Sequence, residues 1–348
     1  MSKYAKAYSV LERWKKHLLN IPGVKAVGIT HINCNPTIAV IVESEDVVKY
    51  LPSSIEGVPV AYRVSKFRLF LERLLYTSPA FRSARVRPVP GGVGISSTKT
   101  LGGTFTCTVY DLKTSEKYGL SCNHVLAFWF GPVKKAEIGE PVIQPPKAYG
   151  GTEEDRIGSL FKVVPIEEDK ENIVDAALFK PDDPAILDDY ILDIGELEGW
   201  SHPLVGMEVR KSGLSTGTTH GIVTVTNATV KVVVEIEGKE RVFTFTDVCL
   251  ASATKGRMGY YGDSGSPVCE IGRAYIVGIL FAGDEETGDI AFFPIKNVIK
   301  ELNVSPVKER TPVYAKEEKT KFLATIGAVG SGIALTGLFT FVAEKKGK

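Results

Sequence analysis

The sequence predicts a mainly β protein, with a small α+β unit in front of the strands and an uncharged run of membrane-spanning length near the end. Three observations carry this. Residues 1–20 place apolar side chains at helical spacing, and short β-rich runs follow between Val24 and Val64. From about Gly92 onward helical periodicity is nearly absent, and short strand-like runs alternate with turn residues, the pattern of a sandwich or barrel. From Phe322 to Ala343 there is no charged residue.

Length and charge set the first limits. A chain of 348 residues has room for two or three domains. With 42 Lys and Arg against 41 Asp and Glu the net charge is +1, so bulk electrostatics offers no grip on a nucleic acid and none is expected as a partner. The five cysteines, Cys34, Cys107, Cys122, Cys249 and Cys269, are too few for a disulfide-built scaffold and odd in number.

Tyr4, Tyr8, Leu11, Trp14 and Leu18 recur at helical spacing and predict an amphipathic helix packed on its own domain, ended by Pro22 and Gly23. This segment lacks the continuous apolar core of a secretory signal. The runs VKAVGIT, TIAVIVE and VPVAYRV read as strands, with turn-rich LPSSIEG between the last two. His31 stands alone beside Cys34, and no metal or other cofactor is expected. A helical segment around Phe67 to Tyr76 follows, so residues 1–75 are assigned to the α+β domain and 76–91 to a proline-bearing linker.

In the β-rich region, GGTFTCTVYD and KYGLSCNHVLA face each other across LKTSE and predict a hairpin. Cys107 and Cys122 sit symmetrically about its turn, as cross-strand neighbours that are either disulfide-bonded or a pair of buried thiols. His124 emerges from the end of this hairpin into an apolar segment, where its protonation and rotamer can be controlled. Asp175 lies inside the apolar run NIVDAALF, where a carboxylate is costly to bury without a partner. Gly262, Asp263, Ser264, Gly265, Ser266 and Pro267 form a tight turn whose glycines give a substrate access to the serine.

His124, Asp175 and Ser264 stand in the chain order of the chymotrypsin-type triad. Through SCNHVLA, NIVDAALF and YGDSGSPV the chain resembles the trypsin-like, chymotrypsin-fold serine peptidases over roughly Arg87 to Leu302. GMEVRKSGLSTGTTHGIV resembles a group of mainly prokaryotic members that carry a small N-terminal extra domain. The resemblance implies a double β-barrel over 92–303, with barrels at about 92–182 and 200–303 joined by LDDYILDIGELEGWSHPL. His124 and Asp175 would stand in the first barrel and Ser264 in the second. Six runs fill the second barrel: MEVRKS, GIVTVT, VKVVVEI, RVFTFTDVCLA, SPVCEI and YIVGILFAG. PIKNVIKEL then supplies a closing helix.

The resemblance further implies a peptide or protein substrate, His124 as general base and acid, Asp175 as its orienting partner and Ser264 as nucleophile. The N–H groups of Gly262 and Ser264 become the oxyanion hole. Met258 falls at the base of the specificity pocket, with Phe281, Ala282 and Gly283 along its wall and edge. No acid lies at that base, which favours an apolar side chain before the scissile bond. No Ile-Val-Gly-Gly activation sequence precedes the domain, so Asp263 has to find a partner other than a freed N-terminus. Cys249 and Cys269 flank the serine in sequence as a disulfide or as two thiols. The competing reading is a catalytically silent peptidase-fold scaffold.

Residues 304–321 read as a charged linker, and 322–343 as a transmembrane helix bracketed by lysines, long enough for a hydrocarbon core of about 30 Å. Small residues four apart, Gly327 with Ser331 and Gly330 with Ala334, offer a face for helix pairing and hence an oligomer. The expectation is a single-pass C-terminal anchor with the peptidase on the cytoplasmic side.

Overall fold

The computed structural model describes residues 2–69, 79–308 and 338–342. Helix α1 (Lys3–Leu19) begins at Ser2, whose Oγ accepts the Ala5 N–H at 3.1 Å. It buries Ala7, Val10, Leu11 and Leu18, while Tyr4 and Tyr8 of the expected apolar stripe stay exposed. Strands β1 (Val24–Ile32) and β2 (Asn35–Val42) form an antiparallel hairpin, and β3 (Val58–Val64) lies parallel to β2. The helix and these strands share one apolar core that includes Leu11, Ile29, Val40 and Val60.

The boundary expected at 75/76 lies outside the described residues, and the unit before it shares a sheet with the second barrel. β1 pairs antiparallel with the long strand Gly217–Ile236, Ala26 opposite Val230, so the N-terminal sheet runs on into the second barrel. Its free edge is completed there by backbone hydrogen bonds, which carry no sequence signature. Of the helix expected around residues 67–76 only the start is described, and there it is corrected. Arg68–Leu69 is a short strand, β4, bridged to Val233 and to the end of Tyr275–Gly283, because two strand edges offer it backbone partners. Residues 70–78 lie outside the described residues.

The described part of the 76–91 linker is folded. Ala80–Ser83 makes one helical turn, and Val89–Gly91 is a strand parallel to Leu187–Ile191. Buried Arg82 joins both halves of the protein: Nη2 pairs with Asp193 at 2.6 Å, and Nη1 donates to Gly92 O and Ser212 Oγ, each at 2.8 Å.

The first barrel sheet contains β5 (Cys107–Asp111), β6 (Lys117–Ser121), β7 (Arg156–Val163) and β8 (Ala177–Pro181), together with short strands at 94–97, 103–104 and 141–143. A one-turn helix, α2 (Asn123–Leu126), follows β6. The β5–β6 hairpin forms as expected, but its register sets Cys107 opposite Leu120 rather than Cys122. All five cysteines are free, which corrects the disulfide alternative at both pairs, and only Cys34 is exposed.

The second barrel is closed. Its strands are β9 (Glu208–Gly213), β10 (Gly217–Ile236), β11 (Lys239–Ala253), β12 (Pro267–Glu270), β13 (Tyr275–Gly283) and β14 (Ile290–Pro294). Pairing runs β11–β14–β13–β12–β9–β10 and back to β11. GIVTVT and VKVVVEI, read as two strands, are one 20-residue strand that absorbs the irregular stretch between them as bulges. Its middle, from Thr226 to Val230, receives β1.

Helix α3 (Ile295–Leu302) buries Ile295, Val298 and Leu302. The expected charged linker starts in folded structure, since Val304 and Ser305 pair with Asp111 and Tyr110 of β5. Most of the expected transmembrane segment, residues 322–337, lies outside the described residues. Its end is described and is not helical. Thr340–Phe341 pairs antiparallel with β3, and Phe339 and Val342 are buried in apolar clusters. Among the described residues no helix is long and apolar enough to cross a membrane.

Candidate active site

Asp175 has no solvent exposure and grips His124 twice. Oδ1 accepts the His124 backbone N–H at 3.1 Å, and Oδ2 is hydrogen-bonded to Nδ1 of the ring. One carboxylate therefore fixes both the position of the residue and the rotation of its imidazole, and draws the proton of the neutral ring to Nδ1. The turn is pinned from its other side by Asn123. Its Nδ2 donates to Trp129 O and Val164 O, each at 2.9 Å, and its Oδ1 accepts from Trp129 N at 2.8 Å. His124 Nε2 is buried and has no hydrogen-bond partner.

The serine turn is clasped between the two barrels. Gly265, at φ +90°, adopts the left-handed conformation, and a Cβ there would stand 2.1 Å from Thr104 O and 2.6 Å from Ser121 Oγ. Absence of that atom lets the turn press onto the strand that leads to His124. Thr104 N donates to Ser264 O at 2.7 Å, Thr106 Oγ1 to Gly265 O at 2.6 Å, and Thr104 Oγ1 to Gly262 O at 3.0 Å. On the opposite side Leu280 O accepts from Gly265 N at 2.8 Å and from Cys122 Sγ at 3.4 Å. No hydrogen bond to a described residue engages the N–H of Gly262 or of Ser264. The Ser264 hydroxyl, fully buried, donates to Phe281 O at 3.2 Å and not to His124.

Asp263 finds its partner in Lys211. Nζ lies 3.2 Å from Oδ2, and neither side chain is exposed. Burial lowers the Lys211 pKa, opposed by the adjacent Asp263 charge. The carboxylate also accepts from Tyr260 N (3.0 Å), Ser215 N (2.9 Å), Thr216 N (3.2 Å) and Thr216 Oγ1 (2.7 Å). Lys211 additionally donates to Gly217 O at 2.8 Å and to Thr216 Oγ1. Sequence reasoning asked for such a partner without finding it. The signal was the strand period: Lys211 shares the inward parity of buried Val209 on β9.

The expected pocket residues separate into two groups. Met258 is packed with Met207, Val223, Tyr261 and Ile290, its sulfur tight against Gly221, so its side chain belongs to the core. The Phe281 ring likewise stacks on Phe293 at 4.0 Å, and only its carbonyl faces the serine turn. The apolar character of both side chains is used for packing. Ala282 and Gly283 are paired on both sides, with Leu69 and Arg68 on one and with Ala291 and Ile290 on the other. Ligand atoms of Cys122, His124 and Asp175 lie within 4.8 Å of one another. Burial, followed by the Asp175 charge, raises the Cys122 thiol well above its usual range and keeps it a hydrogen-bond donor.

A closed barrel, a preceding sheet of short strands and a serine turn clasped between them make this a mainly β, chymotrypsin-like fold. Residues 148–300 match the sequence model of the trypsin family, a stretch that holds Asp175 and Ser264 and begins after His124. The resemblance to the trypsin-like serine peptidases read from the motifs therefore stands. Among solved structures the chain is similar to Thermobifida fusca protease A, at 16% identity and TM-score 0.43, covering 62% of this chain and 97% of that one. It is similar also to Cellulomonas bogoriensis chymotrypsin, at 16% and 0.43 over 64% and 99% of the two chains. A Nocardiopsis protease gives 16% and 0.43 over 62% and 97%. No curated protein sequence matches the chain.

Proposed function

We propose that this protein is a serine endopeptidase with His124, Asp175 and Ser264 as its triad. The observation that carries this reading is the double grip of Asp175 on His124, which leaves Nε2 buried, unpartnered and available as a base. A rotation of the Ser264 side chain away from Phe281 O would hand its proton to Nε2 as Oγ attacks the substrate carbonyl. The unengaged N–H groups of Gly262 and Ser264 would hold the developing oxyanion, a donor of this kind being worth about 2.7–4 kcal/mol. His124 then protonates the departing amine, and the same steps with water release the acyl group.

Labelling by a serine-directed phosphonate tests the proposal. The native chain should label, and Ser264→Ala and His124→Ala should not; equal labelling of all three sinks it. One observation favours the silent-scaffold reading, namely that Ser264 Oγ is committed to Phe281 O. A native chain that fails to label under conditions where it is folded supports that alternative.

Tethering is a separable part of the proposal: the uncharged run near the C-terminus holds the peptidase to the cytoplasmic side of a bilayer. The lack of charge from residue 322 to 343 supports it, and the packing of residues 338–342 on the β3 sheet opposes it. Alkaline extraction of membranes carrying the full chain decides the matter, since a tethered chain stays in the pellet.

A further inference from the structure

One edge of β13 carries three occupants in succession. Ile276, Gly278 and Ile279 pair with β12. Leu280 then exchanges hydrogen bonds with the serine turn, accepting from Gly265 N and donating to Ser266 O, and Phe281 O takes the Ser264 hydroxyl. The next two rungs, Ala282 and Gly283, are filled by the chain's own Leu69 and Arg68, running antiparallel. The other edge of these rungs is closed by β14. The occupying segment is fastened beyond the strand, where Asp284 Oδ2 accepts Ser65 Oγ at 2.5 Å and Lys66 N at 2.6 Å. Phe67 and Leu69 are buried beneath it.

A peptide that adds to a strand edge draws its affinity from backbone hydrogen bonds, which any extended segment supplies. The rungs adjoining the candidate nucleophile are the place for such a peptide, and here they are taken. We propose that residues 65–69 act as an intramolecular competitor, a strap that must leave β13 before a peptide backbone can lie beside Ser264. This rests on the peptidase reading for its consequence but not for the competition itself. The strap is short, held by two rungs on β13, a bridge from Arg68 to Val233, a Ser65 N–H bond to Val42 O and two hydrogen bonds to one carboxylate, all at its own five residues, so it is suited to local release without unfolding of either barrel. An edge that is free for only a fraction of the time binds an incoming peptide more weakly by that fraction.

The test uses the full chain carrying Ser264→Ala and a fluorescent pentapeptide of sequence Ser-Lys-Phe-Arg-Leu, read by anisotropy. Two loosened forms are compared, Ser65→Ala with Leu69→Asp, and Ser65→Ala alone, both keeping Asp284 for the peptide's own Ser and Lys, the second leaving the buried apolar contacts untouched if the first fails to fold. Either should bind the peptide at least about tenfold more tightly than the chain with its strap intact. Leu69→Cys with Ala282→Cys, in a Cys34→Ser background, locks the strap on oxidation; binding should vanish and return on reduction. Equal affinity of strapped and loosened chains, no binding to a folded loosened chain, or binding to the locked chain overturns the proposal. Phosphonate labelling of the same forms with Ser264 restored is the separate readout of catalysis. Labelling absent throughout counts against the peptidase reading alone, and faster labelling of the loosened forms supports both.

Discussion

Lys211 Nζ and Asp263 Oδ2 lie 3.2 Å apart with no solvent on either side chain, one residue before the candidate nucleophile. The pair sets a positive charge from the chain itself against the carboxylate that binds the N–H groups of Ser215, Thr216 and Tyr260, and so holds the serine turn in place. Lys211→Met strands a buried carboxylate and should destabilise the fold by about 3–5 kcal/mol. Urea unfolding measures this. Phosphonate labelling should slow in step, and Lys211→Arg should restore part of both. Wild-type stability in the Met variant would separate this pair from the turn it is argued to hold.

Asp175→Asn tests the orientation of the imidazole. The amide offers Nδ2–H where the carboxylate offered an acceptor, so the ring is driven toward the tautomer with its proton on Nε2, the wrong nitrogen for a base. Peptide hydrolysis should fall by roughly four orders of magnitude at neutral pH. A loss below tenfold, with the fold intact by circular dichroism, would remove Asp175 from the site.

Two glycines of similar backbone conformation separate strain from collision. At Gly272, φ +87°, a Cβ would meet nothing within 4 Å, and Gly272→Ala should cost only the left-handed strain of about 1–2 kcal/mol. At Gly265, φ +90°, the same atom meets backbone oxygen at 2.1 Å. Gly265→Ala should therefore lower the melting temperature further and abolish labelling. Matching losses of stability for the two variants would show that the serine turn is not pressed on Thr104.

Acid should weaken the contact between Asp284 and residues 65–66. Burial alone raises the pKa of this carboxyl, but the Ser65 hydroxyl and the N–H groups of Thr287, Lys66 and Glu286 outweigh it, leaving the group below the ordinary Asp value. A carboxyl with a folded pKa below its unfolded one binds fewer protons when folded. Its stabilisation is complete above the unfolded value near about 4 and fades as pH falls through the folded value. Stability measured between pH 5 and 2, a range of about three units around that value, should fall less steeply in Asp284→Asn than in the native chain. Parallel curves would refute this assignment.

Much of the second barrel was legible in the sequence, since the runs from MEVRKS to YIVGILFAG and the PIKNVIKEL helix occupy the positions expected of them. Asp175 was legible because an acid inside an apolar run demands a partner, and the structure pairs it with His124. The packing of Met258 and Phe281 was not legible, because an apolar side chain suits a pocket and a core equally, and both are packed in apolar clusters. At Arg68 and Leu69, the described start of the helix expected at 67–76, strand β4 forms instead because two strand edges offer backbone partners there.

Local pattern thus determined the strands, the turns and the side chains able to do chemistry, since alternation and turn preference act over a few neighbouring residues. Tertiary structure alone decided which edges meet: β1 on β10, Arg68 and Leu69 on β13, and Thr340–Phe341 on β3. Those unions are made by backbone N–H and C=O groups that nearly every residue carries, so no letter of the sequence marks them.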